Sequence, residues 1–315
     1  MGRVIHTGQA IVDIVLHISQ LPERGGDIFA DRFELTAGGG FNVMAAARRA
    51  GAEVVYAGQM GRGPLAAIVR HALAGEGIEL SGAEPIDEDS GFSVAFVEQN
   101  AERTFVSTRG AETHQRAESL NKVVLADGDV IYVSGYSLVH SDSCQTLVTW
   151  LSGLREGERG VRVVVDPSPV IADIPDRAWD VLMQRANIWS LNERETRLAL
   201  ERCGGTPTGD ALSDASAFAS KVPGAVVSRL GAQGAIVVQG GALTRVPAYP
   251  VTSVDSNGAG DAHTGYLCAL LAGGEHDLVG AVHMANIAAA VAVTREGPAT
   301  APALVEVQGY AHTAK

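Results

Sequence analysis

Val254-Asp255-Ser256-Asn257-Gly258-Ala259-Gly260-Asp261 is a run of small and acidic residues, and it ends where a helix-like run, Ala262–Leu271, begins. The small residues at 258–260 let the backbone turn tightly, so that several N–H groups point in one direction. At the N-terminus of a helix, unpaired N–H donors and the helix dipole both favour a bound anion. Two interpretations follow for Asp261: a carboxylate that works beside an anion site, or a simple helix cap.

The interpretation with a chemical role is phosphoryl transfer. The amides of Gly258, Ala259 and Gly260 would stabilise charge that develops on a moving phosphoryl group. Asp261 would take the proton from the attacking hydroxyl group. An isolated glycine turn is a weak signal, so a second motif has to decide between the two interpretations.

The second motif is Gly38-Gly39-Gly40-Phe41-Asn42, which precedes a predicted helix at Val43–Ala50. Asn42 offers both a donor and an acceptor to hydroxyl groups, and glycines let a ligand approach the backbone closely. Asp13, which we place at the end of the first strand, can accept two hydroxyl hydrogen bonds. These groups suit a neutral polyol; the structural alternative is a turn in which Asn42 caps the helix.

Apolar runs of strand length alternate with longer helical patterns such as Leu65–Ala74, which is typical of βαβ units with a parallel sheet. Most of the strand runs lack polar alternation, as expected for strands that are buried on both faces. The predicted strands are Val4–Thr7, Val54–Ala57, Val130–Ser134, Val161–Asp166, Ile188–Leu191, Ala225–Ser228 and Ala235–Gln239.

Two stretches, 13–36 and 91–109, depart from this pattern. In the second, Phe92, Val94 and Phe96 alternate with smaller residues. Such alternation predicts antiparallel strands with one solvated face. The two stretches lie on either side of a βαβ segment, so we expect them to meet as one small sheet that covers the larger domain.

Composition and charge restrict the class of protein and its partners. Hydrophobic residues make up 46% of the 315 residues and charged residues 19%, which is typical of a globular protein rather than a disordered one. The formal net charge of -12 disfavours nucleic acid and anionic membranes as partners, and favours small molecules. Cys144, Cys203 and Cys268 are far apart and lack zinc-site spacing, so we expect reduced packing residues. We see neither a secretory leader pattern nor a run of membrane-spanning length, and expect a cytoplasmic protein.

The two glycine motifs, in this order and spacing, resemble those of the ribokinase (PfkB) family of carbohydrate kinases. The resemblance covers nearly the whole chain. It extends to three further stretches, Asn192-Glu193-Arg194-Glu195, Leu230-Gly231-Ala232-Gln233-Gly234, and the segment from Ala285-Asn286 to Val293-Thr294-Arg295-Glu296-Gly297. It implies a single ribokinase-like domain over 1–315, an α/β three-layer sandwich with a central, mostly parallel sheet. It also implies a β-sheet lid formed by 13–36 and 91–109.

The resemblance implies a role for each matching residue at the acceptor. Asp261 matches the catalytic base, and Gly258, Ala259 and Gly260 match the anion hole. The residues that match the positions holding the sugar are Asp13, Gly39, Gly40 and Asn42. Tyr136 stands where the family has an acidic sugar contact, and Arg109, like Arg103, lies in the lid where it could reach into the cleft.

The resemblance also implies the cofactors ATP and Mg²⁺. Asn192 and Glu195 match the family's Asn-x-x-Glu, which organises Mg²⁺ and its waters, with Glu195 acting through water. The nucleotide wall is implied at Gly231, Gly234 and Asn286. Arg229 could bind an ATP phosphate or form an ion pair with the protein. A monovalent-cation site, with potassium as the candidate ion, is implied at Asp255, the carbonyl of Asn257, and the backbone of Ala292 and Gly297.

Several residues differ from ribokinase itself. Gly39 stands where ribokinase has a lysine, which argues against a sugar-phosphate acceptor. Ala301 stands where ribokinase supplies a serine to the cation site, which puts potassium activation in doubt. For Phe41 and for His263 we favour packing in the core.

The expected function is ATP-dependent phosphorylation of a hydroxymethyl group on a ribose-like pentose or a hexose. A nucleoside kinase on the same fold is the nearest alternative, with Phe41 and Tyr136 as candidates for stacking on the base. A non-catalytic sugar or nucleotide sensor is a third possibility. A nicotinamide-dependent oxidoreductase is set aside, because Gly8-Gln9-Ala10-Ile11-Val12-Asp13 lacks the G-x-G-x-x-G pattern. We also expect a homodimer that pairs through the lid.

Overall fold

The computed structural model describes residues 1–100, 102–154 and 160–313. Residue 101 of the predicted lid stretch 91–109, and residues 155–159 and 314–315 of the predicted domain, lie outside the described residues. Within the described ranges, no helix combines the length and the apolarity that crossing a bilayer would require.

The chain alternates strands and helices along most of its length. The strands are β1 (Arg3–His6), β2 (Ala10–Ile18), β3 (Arg32–Gly39), β4 (Glu53–Tyr56), β5 (Glu79–Leu80), β6 (Phe92–Glu98), β7 (Arg103–Ser107), β8 (Val130–Ser134), β9 (Arg162–Asp166), β10 (Ile188–Asn192), β11 (Ala225–Arg229), β12 (Ala235–Gln239) and β13 (Ala242–Val246). The α-helices are α1 (Gly40–Arg49), α2 (Pro64–Gly75), α3 (Ala117–Asn121), α4 (Ser141–Gly153), α5 (Asp176–Arg185), α6 (Glu193–Arg202), α7 (Ala211–Ala219), α8 (Ala259–Ala272), α9 (Leu278–Ala292) and α10 (Leu304–Thr313).

Nine strands form a large sheet in the order β13-β12-β11-β10-β9-β8-β1-β4-β5. Pairing is parallel from β11 to β5, and β12 and β13 are antiparallel at one edge. Successive residues of a strand point to opposite faces, so Val4 joins a core with α1, α8 and α9, whereas Ile5 joins a core with α4, α5 and α7. The predicted three-layer α/β architecture with a mostly parallel sheet is confirmed.

Four strands form a separate small sheet in the order β3-β2-β6-β7. The β2–β3 and β6–β7 pairs are antiparallel, but β2 and β6 pair in parallel. The prediction of antiparallel strands is therefore wrong at the central pair. The chain returns to the large sheet between β3 and β6, and this long crossover lets β6 run in the same direction as β2.

The small sheet, which we call the lid, has two faces of different chemistry. Asp13 pairs with Ser93, and Ser93 pairs with Ser107 at an Oγ–Oγ distance of 3.1 Å, so these three residues share the face toward the large domain. The same alternation places Phe105 and Arg103 on that face. The opposite face is apolar; it carries Ile14, Phe33, Leu35, Val94, Phe96 and Val106.

The sequence pattern suggested that Asp13 ends the first strand, and this prediction is wrong. Asp13 lies in the middle of β2, opposite Thr36 of β3. A polar loop after β1 carries the chain out of the large sheet, and a new strand begins at Ala10. The lid, rather than the large sheet, therefore positions this carboxylate.

Candidate active site

Gly258 is the residue that starts α8. Its φ of 74° lies in the left-handed region, and an added Cβ would come within 1.9 Å of the Pro298 carbonyl oxygen. Only glycine fits this turn. Because Gly258 is the N-cap, Asp261 lies in the first turn of α8, and the interpretation of Asp261 as the helix cap is wrong.

Asn42 joins the two glycine motifs. Its Nδ2 donates to Asp261 Oδ2 at 3.1 Å across 219 positions of sequence. The N-cap of α1 is Gly39, with φ at 60°, so the interpretation of Asn42 as a helix cap is wrong as well. The buried Oδ1 of Asn42 has no hydrogen-bond partner among the described residues, and this leaves an acceptor beside the Asp261 carboxylate.

Gly38 allows Asp13 to approach the same place. A Cβ added to Gly38 would lie 1.9 Å from Asp13 Oδ2, so any side chain there would displace the carboxylate. Gly38 is therefore a site residue that the sequence motif contained but whose role the sequence alone did not reveal. Gly38 lies two residues beyond Thr36, the register partner of Asp13. A side chain at position 38 would therefore point to the same face of the lid as the Asp13 carboxylate.

Both acidic side chains of this site titrate above their ordinary range. Burial raises the pKa of Asp13 to about 6. The pKa of Asp261 is raised to about 7, first by burial and then by the charges of Asp166 and Asp13, while the hydrogen bond from Asn42 and the charge of Arg229 oppose the rise. A carboxyl group with a pKa near neutrality is suited to exchange a proton with a substrate hydroxyl group.

The remaining predicted acceptor residues have different surroundings. Tyr136 is 45% exposed, and its pKa is raised by burial and then by the charges of Asp166 and Asp261; a contact of its ring with the acceptor stays a prediction. Gly40 packs against His6, since an added Cβ would lie 2.3 Å from its ring. Arg109 is exposed. The pKa of His140 is lowered first by the burial of His140 and then by the charge of Arg109.

Arg229 lies at the centre of a network that joins the ends of several strands. Its Nη1 lies 3.1 Å from Asp166 Oδ2, and its Nη2 lies 3.4 Å from Glu195 Oε2. Nη1 also donates to Thr264 Oγ1 at 2.7 Å and to the Gly260 carbonyl at 3.2 Å. The guanidinium therefore connects two carboxylates to the turn that starts α8, and a contact between Arg229 and an ATP phosphate stays a prediction.

Asp166 is a site residue that sequence reasoning missed. It is buried at the carboxyl end of β9, where its Oδ1 accepts a hydrogen bond from the Ser168 amide at 3.0 Å. The available signal was the acidic end of a β-branched run, because ligands of parallel α/β sheets bind at the carboxyl ends of the strands.

Asn192 and Glu195 form a capping box at the start of α6. The Glu195 amide donates to Asn192 Oδ1 at 2.8 Å, and the Asn192 amide donates to Glu195 Oε2 at 2.7 Å. Burial and then the charge of Asp166 raise the pKa of Glu195, against the effects of Arg229 and the amide. This motif therefore has a structural function in α6, and it also presents a second carboxylate next to Asp166.

The predicted nucleotide wall is assembled from β11, β12 and α9. Gly231 and Gly234 have φ values of 57° and 88° in the turn between β11 and β12. Asn286 of α9 donates its Nδ2 to the carbonyls of Val246 and Pro247 at 3.1 and 3.0 Å, and so holds the segment after β13. Contacts of these residues with a nucleotide stay a prediction.

The predicted monovalent-cation residues meet at one loop, where protein donors engage them. Asp255 Oδ1 accepts from the Asn257 amide at 2.8 Å and from Arg103 Nη2 at 2.6 Å, and Oδ2 accepts from the Gly297 amide at 3.1 Å. Burial would raise the pKa of Asp255, but these amides and Arg103 outweigh it and hold the pKa below its usual range. Of the two lid arginines considered, Arg103 is therefore the one that pairs with Asp255.

The side chains of Phe41, His263 and Tyr266 are buried in the protein. Phe41 of α1 is 7% exposed and packs in the core, so the packing interpretation is confirmed, and its ring has little surface on which a base could stack. His263 is buried, and burial lowers its pKa to about 3, which keeps it neutral. Tyr266 donates its hydroxyl group to the Pro302 carbonyl at 2.6 Å.

Comparison with known proteins identifies a family for this chain. The family model described as pfkB family carbohydrate kinase matches residues 1–304. The "Uncharacterized sugar kinase YegV" of Escherichia coli is 32% identical over 305 residues, which cover 96% of this chain and 92% of that protein. The ATP-dependent ribose-1-phosphate kinase of Halopiger xanaduensis is 24% identical over 314 residues, which cover 98% of this chain and 98% of that protein.

Solved structures share the fold. The ribokinase of Thermotoga maritima superposes with a TM-score of 0.84 at 20% identity, covering 99% of this chain and 100% of that one. The ribokinase of Arabidopsis thaliana, complexed with ribose and ATP, gives a TM-score of 0.78 at 19% identity over 98% of this chain and 99% of that one. With the family match spanning nearly the whole chain, the protein belongs to the pfkB family of carbohydrate kinases.

Proposed function

We propose that this carbohydrate kinase transfers the γ-phosphoryl group of ATP to a hydroxymethyl group of a ribose-like pentose or a hexose, with Asp261 as the general base. The observation that carries the proposal is the contact between Asn42 and Asp261, with the charge of Asp13 acting on the same carboxylate. It brings a polyol-binding group and a proton acceptor to the N-terminus of α8.

The proposed step is an in-line displacement. The acceptor hydroxyl group gives its proton to Asp261 while its oxygen attacks the γ-phosphorus, and the bond to the β,γ-bridging oxygen breaks to release ADP. The amides of Gly258, Ala259 and Gly260 stabilise the charge on the moving phosphoryl group. Asp13 and the free Oδ1 of Asn42 accept hydrogen bonds from other hydroxyl groups of the sugar.

The chain also carries residues that fit Mg²⁺. Asp166 and Glu195 bring two carboxylates to either side of Arg229, and carboxylate oxygens with waters are the usual ligands of this ion. Mg²⁺, when bound, neutralises charge on the ATP phosphates. Asp166 and Glu195 would orient the ion, Glu195 through water, and Arg229 would hold both carboxylates in place.

Gly39 and the lid favour a neutral acceptor. Gly39 offers no cationic side chain for a phosphate at the sugar, which argues against a phosphorylated substrate. The cleft-facing side of the lid carries Asp13, Ser93 and Ser107, and these suit hydroxyl groups.

A nucleoside acceptor is the second candidate, and Phe105 favours it. This side chain is 54% exposed and lies on the lid face that carries Asp13, so its ring is available for stacking. Tyr136 is a second available ring on the large domain.

The test is ADP release measured with a panel of free pentoses, hexoses and nucleosides. We expect turnover with at least one free sugar; turnover with nucleosides alone would transfer the assignment to the second candidate. ATP binding without turnover on any alcohol would support a sensor instead.

The same assay tests the assigned roles. Asp261→Asn is expected to lower kcat by about 10²–10⁴-fold, the usual range for a general base. Asp13→Ala should chiefly raise the KM for the acceptor, since it removes a binding contact. Asp87→Asn, an exposed carboxylate away from the site, is the matched control. A near-normal kcat in Asp261→Asn would remove Asp261 from its role.

A further inference from the structure

The loop predicted to bind a monovalent cation has its oxygen atoms engaged by protein donors. The Asp255 carboxylate receives three hydrogen bonds, from Asn257, Gly297 and Arg103. Its side chain is only 10% exposed, so few directions of approach remain. Both lone pairs of Oδ1 are taken, one by the Asn257 amide and one by the Arg103 guanidinium, so Arg103 holds the position on Oδ1 that an ion would need.

Two of the backbone carbonyls implied by the resemblance also have a hydrogen-bond partner. The Thr300 hydroxyl lies 3.0 Å from the Ala292 carbonyl oxygen and 3.2 Å from the Gly297 carbonyl oxygen. Ala301 adds no side-chain oxygen at the position where a serine is expected. While Arg103 pairs with Asp255, these oxygen atoms already have a positive charge beside them, and only removal of Arg103 would make room for a monovalent metal ion.

The positive charge at this loop is supplied by the lid. Arg103 of β7 places Nη2 2.6 Å from Asp255 Oδ1, and its side chain is 25% exposed. A guanidinium carries the same single charge as a monovalent cation and keeps it at every physiological pH. The two residues are 152 positions apart, and they meet only where the lid lies over the large domain.

We propose that Arg103 supplies from the lid the charge that a monovalent ion would supply at Asp255, so that phosphoryl transfer by this chain needs no such ion. The inference rests on the proposed function, because it concerns the anion hole of the proposed kinase. Arg103 is a positioning residue: it acts through Asp255 and does not touch the reacting atoms.

Hydrogen bonds through Asp255 connect Arg103 to the proposed anion hole. Asp255 Oδ1 accepts from both Arg103 and the amide of Asn257, the residue directly before Gly258. Asp255 Oδ2 accepts a hydrogen bond from the Gly297 amide, which links the same turn to the C-terminal loop. Without Arg103, Asp255 would keep its two amide donors and lose its counter-ion, so the charge balance of this turn depends on the contact with the lid.

The first test compares monovalent ions. ADP release is measured in potassium, sodium and tetramethylammonium salts at equal ionic strength, the last ion being too large for a cage of oxygen ligands. The unmodified protein should give the same kcat in all three. Arg103→Ala should lose about tenfold or more in tetramethylammonium, because it leaves a mostly buried charge unpaired, and potassium should restore part of the loss.

Two variants separate the charge from the stability of the lid. Arg103→Lys keeps a cation and should remain active without potassium. Arg32→Ala removes another ion pair between the lid and the C-terminal loop, the one with Glu296, without touching Asp255. This variant should show no potassium stimulation, whatever its basal rate.

A second readout does not depend on turnover. The thermal unfolding midpoint of the substrate-free unmodified protein should be the same in potassium and in tetramethylammonium, whereas that of Arg103→Ala should rise in potassium. If no variant releases ADP in any salt, the proposed function fails and the midpoints still decide the role of Arg103.

Three results would overturn the inference. One is potassium stimulation, or a potassium-dependent midpoint, in the unmodified protein. Another is full activity of Arg103→Ala in tetramethylammonium. The third is a loss in Arg103→Ala that neither lysine at 103 nor potassium restores, because that pattern would assign Arg103 a purely structural role.

Discussion

Asp255 and Asp261 belong to one short motif, yet their surroundings separate their acidities. The pKa of Asp255 is held below its usual range, because two amides and Arg103 outweigh the effect of burial. The pKa of Asp261 rises to about 7, since burial and neighbouring carboxylates outweigh Asn42 and Arg229. One acid is therefore a permanent anion within the loop, and the other can gain and lose a proton near neutral pH.

The pH dependence of kcat/KM tests this assignment. A general base works only when deprotonated, so a pKa of about 7 for Asp261 predicts that kcat/KM falls as the pH drops below about 7 and is level above it. At pH values well below the pKa, kcat/KM should fall by about tenfold per pH unit, because one group has to be deprotonated. Initial rates with the best acceptor between about pH 5 and 9 provide the measurement.

Asp13 is the control, because its pKa of about 6 falls in the same window. Asp13→Asn should keep the fall but move it to a somewhat lower pH, because the Asp13 charge is one of the causes that raise the pKa of Asp261, and the absolute kcat/KM should be lower. A profile in which Asp13→Asn abolishes the fall would assign it to Asp13 instead, and a flat profile in the unmodified protein would contradict both assignments.

The lid strands β6 and β7 depend on one buried acid. Glu112 follows the hairpin at residues 91–110; its Oε2 accepts from the Gly91 amide at 2.8 Å and its Oε1 from the Gly110 amide at 3.0 Å. Burial raises the pKa of Glu112 against the effect of these amides. Both glycines are required, since a Cβ on Gly110 would lie 2.2 Å from the Gly91 nitrogen and a Cβ on Gly91 would lie 2.4 Å from Glu112 Oε1.

Glu112→Gln is expected to loosen this hairpin. The glutamine can accept at only one of its two positions and turns an NH₂ group toward an amide N–H, so a loss of about 1–3 kcal/mol in the free energy of unfolding is expected. Hydrogen exchange of amides 91–110 should quicken, and the KM for the acceptor should rise. Glu118→Gln is the matched control, since it removes only the exposed pair with Lys122. Equal effects of the two variants would contradict the role of Glu112.

At the scale of the whole molecule, the single chain covers the apolar face of the lid only in part: Ile14 packs against the core, but other residues of this face stay exposed. Phe33, Leu35 and Val106 share this face and are 70%, 46% and 57% exposed. Four strands with an apolar face have the composition of a sheet that packs on a partner. A homodimer through the lids therefore stays our prediction.

Phe33→Glu tests the dimer. A charge in the centre of an apolar interface is costly to bury, so the variant should shift sedimentation from dimer to monomer at micromolar concentration. Val305→Glu on α10 is the control, because Val305 is 75% exposed outside the lid and should leave the mass unchanged. A monomeric unmodified protein would reject the prediction.

Local patterns determined the architecture of this protein. Buried β-branched runs predicted the strands of the large sheet, and Val130–Ser134 and Ala235–Gln239 end where the sequence placed them. The glycine motifs predicted the tight turns at Gly39 and Gly258, because a left-handed backbone requires a particular residue type. These properties are readable because hydrophobic periodicity and backbone geometry are encoded within a few residues.

Tertiary structure decided which charges meet. Nothing near Arg103 in the sequence distinguishes it from Arg109, yet only Arg103 faces Asp255, 152 residues away. The same holds for Asp166 and Arg229, and for the raised pKa of Asp261, which depends on burial and on distant carboxylates. The physical reason is that an electrostatic interaction depends on distance in space and on removal from water, and both are set only when distant segments pack together.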